Sequence, residues 1–269
     1  DHLVQAYNNC SQITFDYPSY GQLLSEQDVY TTYIGKFDVY NTSDKLGFSE
    51  IHYPLDRVVP GDTNMSRDPL KIREGSRERA NGYGITEDAF EDDQMMIDKA
   101  VDWLQNKSTD IDGEWTLTVN TNAPHFPHFV TEEFWNLYQG EGDLPEYGSE
   151  CESAKHAYAR DLREHFETDY FTEEQIRGLR RGYYGNVTYV DGELGRLIDA
   201  LEESGQLDNT VIIYTSDHGE MLGKFGMWWK CSLYQDSVRI PMIIAGPGFE
   251  RGKRVKTPAS LLDLQATIF

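Results

Sequence analysis

Positive charge is in short supply in this chain. Its 24 lysines and arginines face 46 aspartates and glutamates, a formal net charge of −22 at neutral pH. Binding to nucleic acid or to an anionic membrane surface rests on clustered Lys and Arg, so neither is expected as a partner. Cysteine is scarce too. Cys10, Cys151 and Cys231 are too few for a disulfide framework and show no C-x-x-C spacing for zinc, which leaves reduced, partly buried thiols as the expectation. No apolar run is long enough to span a membrane, and no signal peptide stands at the start. The compartment stays open, with the cytoplasm favoured. Five Asn-x-Ser/Thr sequons, at Asn9, Asn41, Asn64, Asn106 and Asn186, arise readily by chance and decide nothing.

The material for a core is present. With 39% hydrophobic and 13% aromatic residues, the chain is too apolar to be a solvating acidic tail. Its 269 residues are enough for one large α/β domain. An acidic surface with few lysines fits a salt-rich habitat, where screening quiets self-repulsion, so a halophilic source is expected. The chain opens at Asp1 and stops at Phe269 in a helical-looking segment. Both ends read as cut.

One stretch organises the rest, Thr210 to Pro247. Its first five residues, Thr210 to Tyr214, are β-branched or aromatic without polar alternation. They predict a strand buried on both faces. The run breaks at Thr215-Ser216-Asp217-His218-Gly219, which puts an acid and an imidazole at a strand's carboxyl edge, where open α/β sheets bind ligands. Lys230 follows among Trp228, Trp229 and Tyr234, and a second apolar run, Ile240 to Ala245, returns to the sheet.

Earlier segments feed the same edge. A short helix over Ser19–Glu26 precedes a strand, Val29–Ile34, that ends in Gly35-Lys36-Phe37-Asp38. Pro54 to Tyr83 is polar and without period, a long surface excursion suited to facing substrate. Thr86–Lys107 predicts an amphipathic helix with Met95, Met96, Ala100, Val101 and Leu104 on one face. The strand Trp115–Asn120 runs into Ala123-Pro124-His125-Phe126-Pro127-His128. Thr131 to Tyr170 reads as a loosely helical cover. Thr172 and Gln175 have capping-box spacing, and the helix they open carries Ile176, Leu179, Tyr183, Val187, Val190, Leu194, Leu197, Ile198 and Leu201 at steps of three and four before Gly205. Alternating strands and helices predict an α/β fold, a large mostly parallel mixed sheet sandwiched by helices.

Strand ends thus supply Lys36, His125 and the pair Asp217 and His218, with Lys230 from the next loop. An acid and an imidazole can hold a divalent cation. Two lysines and a histidine can neutralise a tetrahedral oxyanion, and the histidine can protonate a leaving oxygen. Together they describe hydrolysis of a sulfate or phosphate ester. Singly each has a plain structural reading: surface lysines, a rigid-turn histidine, a capping aspartate.

Thr215 to Gly223 (TSDHGEMLG), Lys230, and Ser237-Val238-Arg239-Ile240-Pro241 resemble the second half of a sulfatase of the alkaline-phosphatase superfamily. So do the preceding helix, Gly182 to Gly205, Gly35-Lys36 with Leu46-Gly47-Phe48, and Pro124-His125-Phe126-Pro127. The spacing around Tyr183–Tyr189 and Trp228–Lys230 is nearest the choline-sulfatase and phosphonate-monoester-hydrolase branch. The resemblance implies a single sulfatase catalytic-domain fragment over 1–269, with 54–83 and 131–170 as loop or cover insertions. It implies Asp217 and His218 as metal ligands, with Ca²⁺ the usual metal and Mn²⁺ conceivable beside a histidine. Lys36, His125 and Lys230 become sulfate contacts, His125 the acid for the leaving alcohol. The implied substrate is a small-molecule or carbohydrate sulfate ester, and a homo-oligomer is compatible.

Two departures stand out. Asp38 takes a place where the family has histidine. The family nucleophile, a formylglycine made from Cys or Ser in C/S-x-P/A-x-R, is missing: neither Cys10 nor Cys231 has that context. The paired aspartates that complete the family's metal site are absent as well. Both belong upstream of Asp1, so a cut chain explains them together. The alternatives are a phosphate or phosphonate ester hydrolase on the same fold, and a non-catalytic relative that binds sulfated ligands.

Overall fold

A computed structural model describes residues 18–37, 45–54, 68–140 and 142–268. Strands and helices alternate in the order α1 (Tyr20–Ser25), β1 (Tyr30–Gly35), β2 (Glu50–His52), β3 (Tyr83–Ile85), α2 (Glu91–Asp102), β4 (Trp115–Asn120), β5 (His128–Val130), α3 (Glu132–Leu137), α4 (Ala157–His165), α5 (Glu173–Glu203), β6 (Ile212–Thr215), α6 (Gln235–Val238), β7 (Met242–Ala245) and α7 (Leu261–Ile268). This is the expected α/β class. Strand β1 is central, parallel to β2 on one side and β4 on the other. Thr31 to Gly35 are all buried, as a strand between two parallel neighbours should be. A second parallel pair joins β3 to β5, and β6 pairs antiparallel with β7. Among the described residues these ladders are three separate groups, and together they mix parallel with antiparallel pairing.

Helix α2 starts five residues later than its periodicity predicts. The Thr86 N–H donates to Val130 O at 3.0 Å, so the chain still belongs to the β3/β5 ladder there. Three acids, Glu91, Asp92 and Asp93, open the helix, where the helix dipole favours them. Met96, Ala100 and Leu104 are buried as expected, joined by Ile97 and Trp103. Met95 is not on that face. It is 41% exposed, because it lies on the opposite side of the helix from Ile97.

The capping box on α5 forms as read: Gln175 N donates to Thr172 Oγ1 and Thr172 N to Gln175 Oε1. The helix closes near Gly205, whose φ of +71° supplies the left-handed turn. Its packing face differs from the apolar stripe. Leu179 and Leu201 are buried, Val187 is exposed, and Gly178, Gly182 and Gly185 are buried in the contact. A Cβ on Gly182 would stand 2.1 Å from His128 O, and one on Gly178 would strike the Tyr83 ring. Strands β3 and β5 therefore lie directly on the helix backbone.

The strand after α5 also departs from expectation. It is Ile212–Thr215, half-buried throughout, and Val211 before it is exposed. Burial on both faces needs a covering layer on each, and β6 has one strand neighbour among the described residues, whose Ile243 is itself exposed. Residues 131–170 carry α3, α4 and short 3₁₀ turns. Phe166 from this region and Phe171 just beyond it pack on Trp229. No helix among the described residues is long and apolar enough to cross a membrane.

Candidate active site

His125 hangs at the tip of the loop that follows β4. Its Nδ1 lies 2.7 Å from Phe126 O. A carbonyl only accepts, so Nδ1 carries the proton, and in the neutral ring Nε2 is an acceptor. That lone pair meets Lys230 Nζ at 2.6 Å. Burial, then the charges of Lys230 and Lys36, pushes His125 down to about 4. Solvent reaches part of the ring and screens part of this effect. At pH 7 the ring is neutral, and the proton between the two side chains sits on Lys230.

Lys230 is presented by a strained turn. Trp229 and Cys231, on either side of it, have φ of +63° and +36°, conformations that L-residues hold only when their surroundings impose them. Those surroundings are specific. Trp229 N donates to Glu220 Oε1 at 2.6 Å, Met221 N donates to Trp229 O at 2.8 Å, and Tyr158 Oη donates to Cys231 O at 2.6 Å. Burial lowers the Lys230 ammonium, with Lys36 adding to the effect and Asp217 and Glu220 opposing it. Burial pushes Glu220 up to about 7, against the pull of N–H donors from Leu222 and Trp229. Behind the pair, the Arg79 guanidinium lies between the Phe126 ring at 4.4 Å and the Trp229 ring at 4.2 Å.

Lys36 follows the buried end of β1. Its N–H donates to Asn120 O at 3.1 Å, while its carbonyl accepts from Tyr33 Oη at 3.0 Å and Asn120 Nδ2 at 3.2 Å. The ends of β1 and β4 are thus locked to each other, and the Lys36 charge bears on both His125 and Lys230. Asp38, the residue that departs from the family pattern, lies outside the described residues, as does Cys10.

Asp217 and His218 stand at the end of β6. Asp217 Oδ1 accepts from His218 N at 3.0 Å, and Oδ2 lies 3.5 Å from His218 Nε2. His218 Nδ1 donates to Gly219 O at 2.8 Å, which turns Nε2, the nitrogen free to ligate, toward a carboxylate oxygen. Two acceptors turned toward one another suit a cation between them, and a backbone carbonyl fixing the distal nitrogen is the usual support of a metal-ligating histidine. The pair fits one side of a divalent cation's shell. Among the described residues no group of three or more His, Cys, Asp or Glu converges. Gly219 is required here, since a Cβ would stand 2.0 Å from Asp236 O. The His218 and His125 rings are 6.2 Å apart, so the pair and the His125–Lys230 contact share one locality.

Three supporting residues escaped the sequence reading: Glu220, Asn120 and Asp93. Asp93 Oδ1 and Oδ2 accept from Asn122 N and Ala123 N at 2.6 and 2.8 Å. Each is polar at a position where a surface role is the default, and the acidic composition hides an acid that is buried. Nearby His128 is fully buried between Phe126 and Tyr183 without a partner for either ring nitrogen. Burial pushes it down to about 3. Cys151 and Cys231 are free and half-buried, as expected of reduced thiols.

The family model for sulfatases matches residues 2–269. Choline-sulfatase of Rhizobium meliloti (strain 1021) is 33% identical over 98% of this chain and 54% of its own length. Arylsulfatase K of Gallus gallus is 26% identical over 99% of this chain and 51% of its own length. The chain therefore spans about half the length of these curated relatives. Among solved structures, the phosphonate monoester hydrolase from Silicibacter pomeroyi superposes with a TM-score of 0.75 at 23% identity, over 98% of this chain and 60% of that one. A second match, in complex with its substrate D-glucosamine-2-N,6-O-disulfate, has a TM-score of 0.62 at 19% identity, over 91% of this chain and 58% of that one. A match over nearly every residue, on an alkaline-phosphatase-like α/β fold, places the chain in the sulfatase family.

Proposed function

We propose that the protein carrying this chain hydrolyses an organic sulfate monoester, and that Lys36, His125, Lys230, Asp217 and His218 are its contribution to the site. The observation that carries this reading is the 2.6 Å contact of Lys230 Nζ with His125 Nε2, 6.2 Å ring to ring from His218. In a chain of net charge −22, two lysines that bear on one another and on a neutral histidine gather where the ends of β1 and β4 come near the end of β6. They suit an ester bearing negative charge.

Lys36 and Lys230 neutralise the sulfate oxygens. The proton for the leaving oxygen starts on Lys230 Nζ: as the S–O ester bond breaks it moves to His125 Nε2 and from there to the departing alkoxide, which leaves as the alcohol, with Lys230 neutral and His125 again neutral with Nδ1 on Phe126 O. A divalent cation held by Asp217 and His218, Ca²⁺ on the family pattern and Mn²⁺ as the alternative an imidazole permits, would supply further charge neutralisation at the sulfate. The formylglycine nucleophile of the family has no matching motif in these 269 residues and would come from outside them.

The alcohol is proposed to be a small molecule or a carbohydrate. Choline-sulfatase supports the first, and the relative bound to a disulfated glucosamine supports the second. Segments 54–83 and 131–170 are the proposed specificity insertions, since Arg79 backs Phe126 and Tyr158 braces Cys231.

A second reading, phosphonate monoester hydrolysis, is favoured by the superposition on such an enzyme. The full-length protein, assayed on the sulfate and the phosphonate of the same alcohol, separates the two. A higher kcat/KM on the sulfate is expected. A higher value on the phosphonate would replace the first reading by the second, and turnover of neither would remove both.

A further inference from the structure

Asp93 is an unusual first-turn acid. Its neighbours Glu91 and Asp92 face solvent at the start of α2, while Asp93 is 3% exposed. Burial raises its carboxyl against the pull of the two backbone N–H groups that it accepts. Burying a carboxylate is costly unless donors replace its water, and here the donors are the amides of Asn122 and Ala123, at 2.6 and 2.8 Å. Asn122 O in turn accepts from His125 N at 2.8 Å. A continuous chain of hydrogen bonds therefore runs from the Asp93 carboxylate, through the Asn122–Ala123 peptide unit, to the backbone of His125.

We propose that Asp93 is a positioning residue that sets His125 against Lys230, so that the leaving oxygen is protonated from the correct place. This rests on the reading of His125 given above. The two amides reach the carboxylate only if the loop approaches α2 at one height, and the 2.6 Å contact between His125 Nε2 and Lys230 Nζ tolerates little displacement. A shift of about 1 Å in a reacting group can cost on the order of 100-fold in rate. Helix stability alone would be served by an exposed acid, which Glu91 and Asp92 already provide.

The test is a double-mutant cycle in the full-length protein, with an alkyl sulfate, whose alkoxide leaves poorly, and 4-nitrophenyl sulfate, whose phenolate leaves well. Asp93→Asn is isosteric but turns an NH₂ donor toward one of the two amides. It is expected to lower kcat on the alkyl sulfate by roughly 10- to 100-fold, with a smaller change in KM and a smaller loss on the nitrophenyl ester. In a His125→Ala background the same substitution is expected to cost nothing further.

An equal loss in that background would mean that Asp93 acts on the fold at large, and an equal loss on both esters would mean that it does not act through the proton. Either overturns the inference. A full effect of His125→Ala with none from Asp93→Asn overturns the inference alone, whereas an inert His125→Ala overturns the role of His125 itself. If Asp93→Asn does not fold, Asp93→Glu, which keeps the charge and moves it by one methylene, is measured in the same cycle against the same outcomes.

Discussion

His125→Ala in the full-length protein is expected to lower kcat on an alkyl sulfate by about 10²- to 10⁴-fold, the range of a positioned general acid. On 4-nitrophenyl sulfate the loss should be far smaller, because a phenolate stable at neutral pH needs no proton to depart. Lys230→Ala is expected to cost more on the alkyl sulfate than on the nitrophenyl ester, because it removes the proton shared with His125 across 2.6 Å, and to cost activity on both esters through the lost sulfate contact; only the proton-delivery part should fail to add to His125→Ala. The pH profile carries the sign. Burial disfavours the charged form of both, holding His125 down to about 4 and Lys230 below the ordinary lysine range. The pair is thus charged once, on Lys230, from about pH 5 upward. Activity on the alkyl sulfate should fall on the alkaline side as Lys230 loses that proton, at a pH lower than for a solvated lysine, and Lys230→Ala should abolish that limb. Equal losses on both esters would remove the pair from proton delivery.

Gly182→Ala is expected to destabilise the protein by about 3 kcal/mol or more, at the upper end of overpacking effects. In a domain of this size that is a fall in melting temperature of about 6–12 °C. The added carbon would stand 2.1 Å from His128 O and 3.0 Å from His128 Cβ. The first of these is a backbone atom in a strand paired to β3, so it cannot swing away as a side-chain tip can. Separation of α5 from β5 would also shift Phe126, which packs on His128 and follows His125 in sequence. A loss of activity exceeding the loss of folded protein is therefore expected. Gly192→Ala, on the same helix with open space around it, is the control and should stabilise or be neutral. Thermal melts of the two variants decide it: equal melting temperatures would show that α5 does not press on β5.

What the sequence made legible follows from which signals side chains carry. Strand β4, the capping box at Thr172 and the turn at Gly205 were readable because their residue types are selected locally, by pleat, cap and positive φ. The strand-end positions of Lys36, His125, Asp217 and His218 followed from where apolar runs stop, and Lys230 from the aromatic loop after them. The packing face of α5 was not readable from hydrophobic period, because Gly178, Gly182 and Gly185 have no apolar side chain to count. The burial of β6 was overestimated because a run of β-branched residues reports what a strand could bury, while the neighbours decide what it does bury. Asp93 and Glu220 were invisible for the opposite reason. Each is one acid among 46, and only the backbone amides that converge on it mark it as buried and necessary.

The most direct measurement is a crystal structure of the full-length protein with orthovanadate or a slowly turned-over sulfate ester bound. The anion is expected within hydrogen-bond distance of Lys230 Nζ, His125 Nε2 and Lys36 Nζ, with a divalent cation on Asp217 Oδ2 and His218 Nε2. An anion bound elsewhere, or bound there with Lys230 and His125 turned away from it, would contradict the assignment of this strand edge as the site of ester hydrolysis.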